Sequence, residues 1–175
     1  NYFKNNRIIS DASMLNEDNL IQNLSKYKIK QLIQIGANDG IRFDYLNKFI
    51  KKNRIKAILV EPIKNNFDAL RKNYKKFKFV KLENSAISIN NEINYLYKVN
   101  EKFLNYYGNH VPGITSFNKN HLLKHGVKKK HIIKEKVNSI SIKNLIQKYD
   151  LKKLDLIYID TEGYDGKIVL DFLKI

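Results

Sequence analysis

Residues 31–62 constrain the fold more than any other part of the chain. Residues 31–35 form an apolar run that predicts a buried strand, residues 36–40 predict a glycine turn, and residues 57–60 predict a second strand, followed by Glu61. A helical pattern separates the two runs, so the order predicts a βαβ unit. A glycine turn after the first strand and a carboxylate after the second are typical of nucleoside sites. The bare backbone can approach the ligand, and the acid can accept hydrogen bonds from ribose hydroxyls.

The rest of the chain continues this alternation of strands and helices. The first predicted helix covers residues 17–27, and the last begins near Lys167. A helix is predicted after Ser141. Two more are predicted from apolar residues at helical spacing, one from Phe43, Leu46, Phe49 and Ile50 and the other from Phe67, Leu70 and Tyr74. Further strands are predicted over 77–82, 93–99 and 154–159, and residues 106–130 are predicted to be irregular. This pattern predicts an α/β fold whose parallel sheet has helices on both faces, with ligands at the carboxyl ends of its strands.

The chain reads as a single domain over residues 1–175, since no repeat and no Pro/Gly/Ser-rich linker interrupts it. Residues 1–30 are predicted to be a helical lead-in. The chain begins with Asn1 and ends in the apolar pattern 168–173, which is typical of a cut through a helix. We therefore expect a fragment of a longer protein.

The charge is strongly basic, with a formal net value of +16. Such a charge can attract nucleic acid. However, the lysines are scattered, and Lys, Ile, Asn and Tyr are abundant together, as an A+T-rich genome produces. A solvated surface is the favoured interpretation, and nucleic acid is not an expected partner. The sequence has no cysteine and no apolar run long enough to span a bilayer, so we expect a cytoplasmic protein without membrane insertion.

The glycine turn also discriminates between nucleoside cofactors. The dinucleotide fingerprint G-x-G-x-x-G requires glycine where this chain has Asn38 and Ile41, which argues against NAD. The spacing of Gln34, Gly36, Asn38 and Gly40 fits S-adenosylmethionine better, because that ligand brings a carboxylate and an amine to the turn instead of a pyrophosphate.

Five blocks of the sequence resemble the successive motifs of the FkbM-type methyltransferases, from about residue 31 to the end. The blocks are residues 35–40, 60–62, 84–87, 113–117 and 159–165. This resemblance implies a Rossmann-like class I methyltransferase sheet that is truncated at its C-terminus, because the family's last strands are absent. It also implies S-adenosylmethionine as cofactor and O-methylation of sugars or natural products. One departure is Gln34, where many class members have an acid that contacts the methionine amine.

The candidate cofactor-binding residues follow the ends of the predicted strands or belong to the resembling blocks. The resemblance implies an adenine pocket after the third strand and a cofactor contact from the 113–117 block. The candidates are Gly36, Ala37, Asn38, Gly40, Glu61, Asn84, Ser85, Ala86, Ser116 and Asp160.

Three residues are candidates for catalysis. Asp160 could hold the methionine amine or the acceptor, Glu162 could accept a proton from the acceptor hydroxyl, and His110 is a further candidate base. His121 and His125 are one helical turn apart and could pair on a metal. Since no acid lies near them in the sequence, we predict surface histidines and no metal site.

The sequence therefore predicts a methyltransferase of the EC 2.1.1 class that acts on a hydroxyl of a small molecule or glycan. The alternatives are a non-catalytic Rossmann-like module that binds a nucleoside or a protein, an NAD-dependent oxidoreductase, and a nucleic-acid methyltransferase. The acceptor and the oligomeric state stay open.

Overall fold

The computed structural model describes residues 17–42, 44–89, 94–108 and 111–175. His110, Phe43 and residues 1–16 of the predicted lead-in lie outside these ranges. In chain order the α-helices and strands are α1 (Glu17–Leu24), β1 (Gln31–Ile35), α2 (Asn47–Asn53), β2 (Lys56–Val60), α3 (Lys64–Tyr74), β3 (Val80–Glu83), β4 (Ala86–Ile87), β5 (Asn94–Val99), α4 (Lys119–Lys124), β6 (Ile132–Val137), β7 (Ser139–Ile140), α5 (Ile142–Lys148), β8 (Leu156–Ile159) and α6 (Asp165–Phe172). Short 3₁₀ helices cover Glu101–Tyr106, Val111–Gly113 and Lys129–His131.

The central sheet has four parallel strands in the order β3-β2-β1-β8. Ile35 at the end of β1 pairs with Val60 of β2 and with Ile159 of β8, and Val60 pairs with Glu83 of β3. The four strands therefore end level, which confirms the predicted parallel α/β class. The residues that follow these strand ends are Gly36, Glu61, Asn84 and Asp160.

Helices cover both faces of this sheet because side chains alternate along its strands. Leu32 packs in a cluster with Ile50 and Leu70, which brings α2 and α3 to one face. Its neighbour Ile33 packs with Leu145 and Ile168, which brings α5 and α6 to the other face. Full burial of one such aliphatic side chain contributes about 1.5–3 kcal/mol. The two clusters therefore bury residues 32–35 of β1 from both sides.

Two small pairs of strands complete the described fold. β4 pairs with β7 in parallel, and β5 pairs with β6 in an antiparallel arrangement. The antiparallel pair packs with the segment after β5 through a cluster that includes Val99, Ile114 and Leu122. None of the helices in the described part of the chain is long and apolar enough to cross a membrane.

The glycine turn does not lead directly into a helix as predicted, since α2 begins only at Asn47. The Asp39 side chain accepts hydrogen bonds from the backbone N–H groups of Ile41 and Arg42, and the Asp44 side chain accepts one from Leu46. Such short-range bonds compete with helical hydrogen bonds, so the loop continues for several residues.

Further predictions differ in detail from the structure. The segment predicted to be irregular contains α4, and the following strand β6 has no counterpart among the predicted strands. The predicted helix after Ser141 is confirmed, with the Ser141 hydroxyl accepting a hydrogen bond from the Asn144 N–H as an N-cap. The first predicted helix ends at Leu24, three residues earlier than expected.

Candidate active site

The turn after β1 adopts left-handed backbone at three positions. Gly36 has φ +86°, Asn38 +49° and Gly40 +71°. A Cβ on Gly36 would lie only 1.8 Å from the backbone oxygen of Asp160, so the close approach of β1 and β8 requires glycine there. The turn is also held to β2, because the Gly36 and Ala37 N–H groups both donate to the Val60 carbonyl.

Glu61 connects this turn to the end of β2. Its Oε2 accepts a hydrogen bond of 2.9 Å from the Asn38 N–H, and its Oε1 accepts one of 2.9 Å from the Ile63 N–H. Burial raises the pKa of the Glu61 carboxyl to about 7, while hydrogen bonds from Ile63, Asn38 and the Asn66 side chain oppose the rise. A carboxylate has about four acceptor positions, so these three donors leave capacity for a ligand hydroxyl.

One cavity of about 320 Å³ opens at the carboxyl ends of the strands. It brings together seven of the residues predicted from the sequence, contributed by the ends of β1, β2 and β8 and by the segment after β3. These residues are Gly36, Asn38, Glu61, Ser85, Ala86, Asp160 and Glu162.

Four other predicted residues lie behind the cavity residues. Ala37 is fully buried, and Gly40 faces the side chains of helix α3. The Asn84 amide donates to the backbone oxygens at positions 61 and 62, and the Ser116 hydroxyl donates to the Glu162 carbonyl at 2.9 Å. All four stabilise the backbone that shapes the cavity, and their direct contact with a cofactor stays a prediction.

Several cavity residues are not among the candidates predicted from the sequence. Tyr45, Asn66, Leu96, His125 and Tyr164 all line the cavity. Leu96 lies on β5, which shows that the small antiparallel unit forms a wall opposite the main sheet. Tyr164 belongs to the 159–165 block and His125 to the histidine pair noted in the sequence, but neither pattern predicted a position at the cavity. No local motif marks Tyr45, Asn66 or Leu96, which contacts between segments far apart in the chain bring to the cavity.

Acidic residues follow β8 at the same edge. Burial, together with the negative charges of Glu162 and Asp165, raises the pKa of the Asp160 carboxyl. The Asp165 carboxylate accepts hydrogen bonds from the N–H and the hydroxyl of Thr161, which fixes the loop between them. Within this loop Glu162 adopts φ +51°. The side chains that line this part of the cavity can therefore accept hydrogen bonds or a proton.

Helix α4 contributes imidazoles beside this loop. The His121 Nε2 lies 2.9 Å from the Glu162 Oε2, across 41 residues of sequence. The ring centres of His121 and His125 are 4.7 Å apart. No acid lies near these histidines in the sequence, whereas the fold places one in contact. His110, the third catalytic candidate, lies outside the described residues.

Gln34, which stands where many class members have an acid, contacts an acid in the structure. Gln34 is 1 % exposed, and its side-chain amide donates a 3.0 Å hydrogen bond to the Asp44 carboxyl. Burial raises the pKa of Asp44, and the hydrogen bonds from Gln34 and Leu46 oppose that rise. Among the described residues, the Gln34 Oε1 and the Asp44 Oδ2 have no hydrogen-bond partner. An acid is thus present beside the glutamine, although it comes from the following loop.

A parallel sheet with a glycine turn after β1, an acid after β2 and a cavity at its carboxyl edge is the arrangement of the Rossmann-like methyltransferase class. The family model of the methyltransferase FkbM domain matches residues 34–173. The chain therefore belongs to the FkbM methyltransferase family, which confirms the resemblance seen in the sequence. A search among curated proteins found no match.

Proposed function

We propose that this protein is an S-adenosylmethionine-dependent methyltransferase that acts on a hydroxyl of a sugar, glycan or natural product. Family membership supports methyl transfer, and methyltransferases of this kind generally use that cofactor. The observation that carries the proposal is the shared cavity. The glycine turn, Glu61, Asp160 and Glu162 all line it.

The residues at the cavity fit the cofactor chemically. The Glu61 carboxylate can accept a hydrogen bond from a ribose hydroxyl. The Ser85 hydroxyl, which lines the cavity and donates to the Glu83 carboxylate, could accept one from the adenine amino group. The bare backbone at Gly36 leaves room for the amino-acid end. A cavity of about 320 Å³ lies within the usual size range of small-molecule sites, roughly 300–1,000 Å³.

The bound cofactor would supply an electrophilic methyl group, and this chain's residues would supply position and proton acceptance. Alignment of an acceptor oxygen with the methyl group can contribute about 7–11 kcal/mol to catalysis. Proton acceptance by the Glu162 carboxylate, which His121 holds by a hydrogen bond, would contribute roughly 10²–10⁴-fold. Apolar walls from Leu96 and Phe117 would exclude water from the reacting atoms.

The acceptor part of the cavity favours a hydroxylated molecule. Phe117 and Tyr164 both line the cavity, with ring centres 4.8 Å apart, and Tyr45 lies there as well. Aromatic faces pack against the apolar faces of sugar rings, and the nearby carboxylates accept hydrogen bonds from hydroxyl groups. This combination supports O-methylation of a polyhydroxylated acceptor.

The proposal is tested by incubating the full chain with methyl-labelled S-adenosylmethionine and a panel of monosaccharides, oligosaccharides and natural-product alcohols. Label in a product with a new O-methyl group, found by mass spectrometry, would support it. Cofactor binding without transfer to any acceptor would instead favour a non-catalytic nucleoside-binding module. Label in RNA or DNA would favour a nucleic-acid methyltransferase.

A further inference from the structure

We propose that His121, His125 and Glu162 form a binding site for one divalent transition-metal ion of the Zn²⁺ type. Each residue offers one ligand atom, and the three atoms lie within 4.8 Å of one another. Helix α4 and its end supply the two imidazoles, and the loop after β8 supplies the carboxylate. The site therefore joins two segments that are distant in the sequence.

The geometry is close to what a tetrahedral ion requires. Ligand bonds of about 2.0–2.2 Å place tetrahedral ligand atoms roughly 3.4 Å apart. The His121 Nε2 and the Glu162 Oε2 are already 2.9 Å apart. His125 is an exposed side chain, so its imidazole can rotate toward the other two. A small movement of one exposed ring would complete the three-ligand set.

The type of ligand indicates the class of ion. Two imidazoles and one carboxylate suit Zn²⁺ and other first-row transition ions, whereas Mg²⁺ and Ca²⁺ prefer sets of oxygen ligands. Asp160 lines the same cavity as Glu162, and the Asp165 carboxylate accepts a hydrogen bond from Thr161, the residue before Glu162, so both acids add negative charge near the site. This local charge offsets the strongly basic surface of the chain, which would otherwise repel a cation.

Three protein ligands leave a fourth position open, as in catalytic zinc sites. His125 and Glu162 both line the cavity, so the open position would face the acceptor. Resting on the proposed function, this arrangement would make Glu162 a metal ligand in place of its role as direct proton acceptor, and the metal would lower the pKa of a bound acceptor hydroxyl. The hydroxyl proton would then pass to solvent, the oxygen–methyl bond would form, and the sulfur–methyl bond would break with its electron pair returning to sulfur.

The alternative role for these residues is a simple imidazole–carboxylate hydrogen bond between His121 and Glu162. That pair needs no contribution from His125. The two explanations therefore predict different effects of replacing His125. This side chain is exposed, so it can be replaced without disturbing the core.

The test is calorimetric titration of the chelator-treated full chain with Zn²⁺, in the absence of S-adenosylmethionine. The proposal expects one saturable ion per chain. His125→Ala, His121→Ala and Glu162→Gln should each weaken Zn²⁺ binding at least about tenfold, because loss even of an outer-shell partner typically costs about 10–100-fold. Lys124→Ala removes an exposed side chain from the same helix and is the matched control, with unchanged binding expected. Co²⁺ should give the visible absorption of a tetrahedral ion in the wild type, and His125→Ala should lose it.

Absence of Zn²⁺ binding by the wild type, or binding that is equal in the wild type and in His125→Ala, would overturn the proposal. Circular dichroism of each variant checks that the fold is retained. A parallel titration with S-adenosylmethionine separates the two proposals. If the wild type binds S-adenosylmethionine but not Zn²⁺, the metal site alone is contradicted. If it binds Zn²⁺ but not S-adenosylmethionine, the proposed function alone is contradicted.

Discussion

The Glu61 carboxylate accepts a 2.9 Å hydrogen bond from the Asn38 backbone N–H, and this contact joins the loop after β1 to the end of β2. The acid that is proposed to bind ribose and the turn that is proposed to bind the amino-acid end are therefore one connected unit. A substitution of Glu61 should therefore also change the position of the turn that contains Asn38.

The first prediction concerns Glu61→Gln, which keeps one acceptor oxygen but removes the charge. A hydrogen bond to a charged group contributes about 1.5–3 kcal/mol, so the Kd for S-adenosylmethionine should rise roughly tenfold or more. Glu101→Gln is the control, because Glu101 is an exposed carboxylate outside the cavity lining. Calorimetric titration measures both variants, and equal affinity in Glu61→Gln and the wild type would remove Glu61 from the site.

The second prediction is a pH dependence of cofactor binding. The raised pKa of about 7 means that much of the Glu61 carboxyl is protonated at pH 6 and most of it is ionised at pH 8. Ribose hydroxyls donate better to the ionised form, so affinity should increase over this range, by up to about tenfold per pH unit below the pKa. In Glu61→Gln the Kd should be nearly constant with pH. Titrations at several pH values, in buffers of different ionisation enthalpy, would detect the released proton.

For the ligand-free protein, Glu61 should make stability decrease with pH, whereas it makes cofactor affinity increase with pH. The folded state holds a proton on Glu61 between its ordinary pKa of 4.5 and about 7, whereas the unfolded state does not. This contribution to stability is therefore complete below about pH 4.5 and is lost as the pH rises to about 7. Denaturant unfolding at pH 5 and pH 8, for the wild type and Glu61→Gln, measures it. A contribution from Glu61 that increases with pH would contradict this assignment.

The third prediction separates turnover from binding. Glu162→Gln keeps the size of the side chain and a hydrogen-bonding oxygen but cannot accept a proton or bind a metal well. The turnover number should fall by roughly 10²–10⁴-fold, while the Kd for S-adenosylmethionine should change little. Steady-state kinetics on the acceptor found by label transfer would measure this, again with Glu101→Gln as control. An unchanged rate would exclude Glu162 from the chemistry.

The fourth prediction uses two glycines that share left-handed backbone. Gly126 has φ +79°, and among the described residues beyond its chain neighbours none lies within 4 Å of a Cβ added there, so Gly126→Ala should cost only the backbone strain, about 1–2 kcal/mol. Gly36→Ala carries the same strain and also the 1.8 Å overlap with the Asp160 oxygen. It should destabilise the protein by several kcal/mol more, on the order of a severe core substitution, and should abolish cofactor binding. Urea unfolding of both variants measures the difference, and similar losses would show that β1 and β8 do not approach as described.

The central βαβ unit could be predicted because its signals are local. β1 and β2 are buried on both faces, so their sequences are short, mostly apolar runs that indicate strands. Because the two strands pair in parallel register, Gly36 and Glu61 meet at one edge of the sheet. The level ends of the strands explain why Asp160 joins them.

The opposite wall of the cavity could not be predicted in the same way. Strand β6 contains three consecutive charged residues, Lys134, Glu135 and Lys136, so it lacks the alternation of apolar and polar residues that marks a strand. It pairs with β5 across a long connection. The Ser116 hydroxyl bonds to the Glu162 carbonyl, and His121 contacts the Glu162 side chain. These are contacts between distant segments, and they decide where the catalytic candidates lie.

Calorimetric titration of the full chain with S-adenosylmethionine, run beside an identical titration with NAD, tests the central claim most directly. We expect saturable one-to-one binding of S-adenosylmethionine, weakened in Glu61→Gln, and no saturable binding of NAD. Absence of S-adenosylmethionine binding by the folded protein, or preferential binding of NAD, would contradict it.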